Sequence, residues 1–147
     1  MTSLPTKDNI SILQINLRKS STANHTAITY AILNKIDIIL IQDPHISNNN
    51  LTFLPSSFSV YFSSFFTAGI VVMNTNLIHI MTKSFENSVF VNFTFEDKNV
   101  IIGSQYTAPS KDLDTDLKQW TDYFTSTDNL LIGGDFNSHL HSWGLST

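Results

Sequence analysis

Ile36-Asp-Ile-Ile-Leu-Ile-Gln42 is apolar at five of its seven positions and runs straight into Asp43-Pro44. A run this short and this continuous suits a strand buried on both faces, and it stops at proline, which cannot donate to a ladder. Upstream, Ile10-Ser-Ile-Leu-Gln-Ile-Asn16 is likewise short, apolar and β-branched, which predicts a strand that delivers Asn16 to its C-terminal end. Between the two, Ser20, Ser21 and Thr22 offer N-caps to Ala23, Ala27, Tyr30 and Ala31, which recur at helical spacing and predict a helix over 22–34. Strand, helix and strand make a βαβ-like opening. Downstream, Ser47-Asn-Asn-Asn50 and Pro55-Ser-Ser57 read as loops. Five β-like runs follow at 59–63, 69–74, 77–82, 89–95 and 99–106; Asn74-Thr-Asn76 and Glu96-Asp-Lys98 serve as hairpin turns, so the middle section is expected to be antiparallel. Ser110 and Asp112 can cap a second helix over 111–126 with an apolar stripe of Leu113, Leu117, Trp120 and Phe124. Asp112, Asp114 and Asp116 read as structural, favoured at the positive end of that helix's dipole. Asn129-Leu-Leu-Ile-Gly-Gly-Asp135 is the last strand, with glycines that admit a close approach. The element order is that of a mixed α/β fold.

Composition bounds the partners. The 147 residues fit one domain, read as 10–147 behind a tail at 1–9, and 41% hydrophobic with 12% aromatic content supplies a real core, which excludes disorder. Only 14% of residues are charged, against about 25% in typical domains, so Ser, Thr and Asn carry the surface. The net charge of −4 excludes binding of a polyanion by charge alone. Residues 1–73 carry four basic and three acidic groups and residues 74–147 four and nine, so a phosphate-bearing partner would need a metal ion or aimed donors. The absence of cysteine excludes disulfide scaffolds and Cys-ligated zinc or iron–sulfur sites. No apolar run reaches the length of a membrane span, and residues 1–8 lack a signal peptide's apolar block, so an intracellular protein without a membrane partner is expected. Three N-x-Thr triplets, at Asn24, Asn50 and Asn92, are read as coincidence among fourteen asparagines.

Chemistry concentrates where strands end. Gly133-Gly-Asp-Phe-Asn-Ser-His-Leu-His-Ser-Trp-Gly144 puts a carboxylate, an amide and two imidazoles just past the last strand. On extended backbone Asp135 and Asn137 point to the same side, so one can hold or deprotonate water while the other donates to an anion, which suits a phosphate ester. The competing reading is an Asx turn that merely closes the strand. Three further strands end in polar groups: Asn16, the Gln42-Asp43 pair, and Gln105-Tyr106.

Leu13-Gln-Ile-Asn-Leu-Arg-Lys-Ser20, Ile41-Gln-Asp-Pro44, Tyr106 followed by Pro109, and Gly134-Asp-Phe-Asn137 with its downstream His and Trp-Gly occur in this order. In that order they resemble the endonuclease/exonuclease/phosphatase superfamily, and within it the apurinic/apyrimidinic-endonuclease-like domain of non-LTR retrotransposons. The resemblance covers residues 10–147 but only the first part of the family's domain, whose members continue through further strands to an Asp and a Ser-Asp-His. It implies an incomplete four-layer α/β sandwich in which this chain supplies mainly the first sheet, leaving an apolar face uncovered and the chain prone to self-association. It further implies Mg2+ or Mn2+ held by Asn16 and by Asp43, which stands where the family has Glu. Tyr106 would contact the scissile phosphate, Asp135 would orient or deprotonate the attacking water, and Asn137 would hydrogen-bond the phosphate or nucleophile. Arg18, His139 and His141 stand as phosphate or DNA contacts, with a solvated surface role the alternative for each; Trp143 is read as a packing anchor.

The function so implied is a metal-dependent phosphodiesterase of the DNA-nicking kind, weakly active or inactive by itself. DNA would be its partner, as would the reverse transcriptase portion of the same polyprotein, with nuclear location if it belongs to an active retroelement. Two alternatives stay open: a non-catalytic remnant or nucleic-acid-binding piece, and a superfamily phosphatase acting on another phosphoester.

Overall fold

The computed structural model describes residues 9–109, 112–125 and 128–136. β1 (Ile12–Asn16), α1 (Ser21–Leu33) and β2 (Ile38–Gln42) form the expected opening, with β1 and β2 parallel and in register from Ile12↔Ile38 to Asn16↔Gln42. Ser20 caps α1 by accepting a hydrogen bond from the Ala23 N–H, satisfying one of the donors that a helix start leaves open. Two further antiparallel strands complete this sheet, β6 (Ala68–Val72) beside β2 and β5 (Ser59–Phe62) at the edge. The asparagine-rich loop after β2 forms a small hairpin, β3 (Ile46–Ser47) and β4 (Asn50–Leu51), turned by Asn48 and Asn49 at φ 53 and 59, a conformation asparagine tolerates.

The second sheet is built from β7 (Ile78–Ser84), β8 (Ser88–Phe95), β9 (Lys98–Tyr106) and β10 (Leu130–Asp135), in the order β10-β9-β8-β7. Its β8–β9 hairpin turns at Glu96 and Asp97, both with positive φ, as two-residue turns that match strand twist require. α2 (Leu113–Tyr123), capped by Asp112, crosses over to bring β10 parallel to β9.

Parity along β2 explains its unbroken apolar run. Ile38 and Leu40 face the second sheet and share a core with Ile70, Val72, Val89, Val91, Phe93 and Ile102. Ile39 and Ile41 face the other way, toward Ala27, Ile28 and Ala31 of α1. Beyond the second sheet, the Phe90 ring meets Trp120 and Phe124 at centroid distances of 6.3 and 4.7 Å. It lies over Gly103, where a Cβ would stand only 2.4 Å from the ring. Helix, sheet, sheet and helix are therefore stacked in four layers.

Two expectations are corrected. The chain supplies both sheets rather than mainly the first, and their inner faces cover each other, because the five runs between 59 and 106, antiparallel as expected, divide between the two sheets. Asn74-Thr-Asn76 is not a hairpin turn: both edges of β6 are taken by β2 and β5, so the chain crosses to the other sheet. Asn74 Oδ1 accepts the Asn76 N–H at 2.9 Å, an Asx turn that redirects the chain. Among the described residues no helix is long and apolar enough to cross a membrane.

Candidate active site

Parallel pairing decides where polar groups gather. β1 and β2 finish at one edge, with Asn16 opposite Gln42 and Asp43 one residue further. β9 and β10 likewise finish together, with Tyr106 opposite Asp135. Face-to-face packing of the sheets sets the two pairs of ends against each other, and the Asn16 Nδ2 donates a hydrogen bond to Asp135 Oδ2 across the seam. Burial, then the negative charges of Asp43 and Asp135, push the Tyr106 phenol above its ordinary value, so both carboxylates act on its hydroxyl. Asn16, Asp43, Tyr106 and Asp135 therefore form one cluster. Arg18 lies at its rim, its backbone N–H donating to Asn16 Oδ1 at 2.8 Å and its side chain exposed. Asn137, His139 and His141 lie outside the described residues, as does Trp143.

The backbone of the cluster is fixed from several sides. Asp43 sits at φ 50, and Arg18 and Lys19 at 51 and 57, in the left-handed region that side chains other than glycine enter at a cost. Hydrogen bonds hold them there: Leu17 N–H to the Gln42 carbonyl at 2.8 Å, Lys19 N–H to that of Asp43 at 2.7 Å, and Asp43 N–H to that of Thr67 at 2.7 Å. Asn24, fully buried on α1, donates to the His45 carbonyl at 2.8 Å and to Thr52 Oγ1 at 2.9 Å, so the helix steadies the segment that leaves Asp43. Beneath the cluster, fully buried Gln42 donates to Ser104 Oγ at 3.0 Å, and Ser104 donates to the Ile41 carbonyl at 2.9 Å, binding the two sheets through a polar seam. Gly134 lets β10 close on β9, since a Cβ there would fall 2.2 Å from the Gln105 carbonyl oxygen. Sequence reading missed Thr67, Asn24 and Ser104; an isolated Thr, Asn or Ser carries no local pattern that marks it.

The donor set fits a hard divalent cation. The Asp43 carboxylate is half-buried and accepts no hydrogen bond from the described residues, and Asn16 Oδ1 keeps a second lone pair beside the one given to Arg18. Carboxylate and amide oxygens suit Mg2+ or Mn2+; no group of three or more His, Asp or Glu gathers here or elsewhere among the described residues, so water would have to fill most of the coordination positions. A cavity of about 260 Å3 beside Ala31, Lys35, Asp37 and Met73 lies at the other end of β2, away from the cluster.

No family model and no curated protein matches the sequence. Solved structures do. The endonuclease domain of TRAS1, a telomere-specific non-LTR retrotransposon, superposes with a TM-score of 0.79 and 24% identity over 92% of this chain and 64% of that one. TDP2 of D. rerio complexed with a single-strand DNA product gives 0.66 and 13% over 94% and 64%. The human Nocturnin catalytic domain with a bound sulfate anion gives 0.58 and 15% over 88% and 64%. The chain thus spans a little under two thirds of each, and its two four-stranded sheets with a helix on either side are the endonuclease/exonuclease/phosphatase fold.

Proposed function

We propose that this chain is the catalytic-edge portion of a metal-dependent phosphodiesterase that nicks DNA, of the kind found in retrotransposon endonucleases. The observation that carries this reading is the meeting of Asn16 and Asp43 from one sheet with Tyr106 and Asp135 from the other. Asn16 Oδ1 and the Asp43 carboxylate would hold Mg2+ or Mn2+, which when bound supplies Lewis-acid polarisation of a phosphoryl oxygen. Tyr106, kept protonated well past neutral pH, donates its O–H to a non-bridging phosphate oxygen. Asp135, held by Asn16, orients the attacking water and takes its proton. Asn137 is assigned a hydrogen bond to the phosphate, and Arg18, His139 and His141 contacts to the flanking strand. A reverse transcriptase portion of the same polyprotein is the proposed partner, with nuclear residence.

One carboxylate and one amide make a weak cation site, so affinity of about a millimolar or weaker and slow turnover are expected of the 147 residues alone. The shorter Asp43 favours a second reading, a nucleic-acid-binding piece without turnover. Nicking of supercoiled plasmid in Mn2+ separates the two. Loss of nicking in Asp135→Asn supports the enzyme; parent and variant alike in nicking, yet both retaining DNA, support the binding piece.

A further inference from the structure

Asp43 and Tyr106 belong to different sheets, and each donates its backbone N–H to a loop that none of the sequence motifs includes. The Asp43 N–H goes to the Thr67 carbonyl at 2.7 Å, and the Tyr106 N–H to the Asn87 carbonyl at 2.9 Å. Those two acceptor residues are joined to each other: the Thr67 hydroxyl donates to Asn87 Oδ1 at 2.7 Å. Asn87 is 7% exposed and Thr67 half-buried, so the acceptor side of this bond is withdrawn from water. Both loops are braced. Ser63 Oγ, itself buried, accepts the Thr67 N–H at 3.1 Å, while the Ser64 and Phe65 N–H groups donate to the Phe85 and Glu86 carbonyls at 2.8 and 3.0 Å. A short continuous path therefore runs from the Asp43 backbone through Thr67 and Asn87 to the Tyr106 backbone.

We infer that Thr67 and Asn87 are positioning residues, a side-chain strut between the sheets that sets the separation of the Asp43 carboxylate from the Tyr106 hydroxyl. The inference rests on the reading of Asp43 and Tyr106 as metal-side and phosphate-side groups of one site. The physical case is that a site assembled from two sheets has no covalent link to fix its width. A misplacement of about 1 Å can cost 10²-fold in rate. The Gln42–Ser104 seam fixes the sheets beneath the site; the Thr67–Asn87 strut fixes them beside it.

Amide hydrogen exchange on the metal-free chain tests the strut without any assumption about chemistry. Thr67→Val keeps the shape and removes the hydroxyl. It should speed exchange of the Tyr106 amide on the far sheet by about tenfold, and Asn87→Ala should do the same to the Asp43 amide. Thr67→Ser, which keeps the hydroxyl, should leave both near parental rates and guards against a variant that merely misfolds. Tyr61→Phe is the control: it removes another inter-sheet bond, Tyr61 Oη to His79 Nδ1 at 2.7 Å, and should leave both amides unchanged. If each variant loosens only the amide bonded to its own carbonyl, or if Tyr61→Phe loosens both, the strut is refuted.

The positioning role is then read from Mn2+-induced broadening of the Tyr106 ring resonances. It should fall severalfold in Thr67→Val and in Asn87→Ala, with Thr67→Ser like the parent. Crosswise exchange with unchanged broadening would reduce the pair to scaffold and overturn the role. Broadening that survives Asp43→Asn would instead sink the metal reading of Asp43, while the exchange data still judge the strut.

Discussion

Two aspartates flank β2, about 20 Å apart at 3.3 Å per residue, and the fold treats them in opposite ways. Asp37, 2% exposed at the strand's start, spends its carboxylate on structure: Oδ2 accepts the Ser11 N–H at 2.8 Å and the Ser11 hydroxyl at 3.1 Å, and Oδ1 accepts Asn74 Nδ2 at 3.0 Å. Its carbonyl also takes the Met73 and Asn74 N–H groups, at 2.9 and 3.1 Å. Asp43, at the strand's end, has its backbone pinned at both the N–H and the carbonyl while its carboxylate receives nothing from the described residues. One end joins β1, β2 and the crossover after β6 into a closed polar knot. At the other the same residue type is held in a strained conformation with its carboxylate open, near a tyrosine whose phenol is raised by burial first and then by this charge and that of Asp135. A carboxylate whose hydrogen bonds are all internal is there for stability; one fixed in position with its oxygens unspent is available to a ligand.

The largest expected effect breaks the closed end. Asp37→Ala leaves the Ser11 N–H and hydroxyl and the Asn74 amide without their acceptor in a partly buried setting and should cost about 3 kcal/mol of unfolding free energy, since each hydrogen bond to a charged group contributes about 1.5–3 kcal/mol. Asp43→Asn preserves shape and tolerance of positive φ, and should change stability by less than about 1 kcal/mol. Urea unfolding of both variants checks the contrast, which collapses if Asp43→Asn is the more destabilised.

At the open end the effect is smaller and appears in ligand binding. Asp43→Asn should weaken Mn2+ affinity by about tenfold, and Asp43→Glu, with one more methylene of reach, should tighten it by about threefold, since octahedral distances are otherwise hard to meet. Water-proton relaxation by Mn2+ reads both. Equal affinity in parent and Asp43→Asn would remove Asp43 from the site.

The sequence exposes this contrast only in part. Strand β2 is readable because its apolar run is buried on both faces, and Asn16, Asp43, Tyr106 and Asp135 are legible as polar groups at or just past strand ends. It did not distinguish the roles of the two aspartates, because what separates Asp37 from Asp43 is hydrogen bonding to Ser11 and Asn74, 26 residues before and 37 after. The same limit hid Thr67 and Asn87, whose bond spans 20 residues and two sheets. The hairpin read at 74–76 failed for a related reason: turn chemistry was correct, but whether a turn returns to its own sheet depends on which edges are already occupied. The resemblance fixed the layers in kind, yet the division of strands between two sheets is a long-range pairing that local pattern does not encode.

The smallest effect sharpens the comparison through Tyr106. Its phenol lies above the ordinary tyrosine value near 10, through burial first and then through Asp43 and Asp135. The folded chain therefore keeps a proton that the unfolded chain releases, and the stability this represents is intact below the ordinary value and is lost as pH rises through the folded one. Replacing Tyr106 with Phe should flatten that alkaline loss. Asp43→Asn and Asp135→Asn should each move the phenol back toward its ordinary value, and neither should restore it fully, because burial remains. Asp37→Asn, at the far end of β2, should leave the phenol where it is. Phenolate absorbance titrations, each referenced to Tyr106→Phe so that the other three tyrosines cancel, measure the four cases. If Asp37→Asn displaced the curve as far as Asp43→Asn, the field at Tyr106 would be that of the whole molecule, and the claim that one end of β2 carries an open, directed charge would fail.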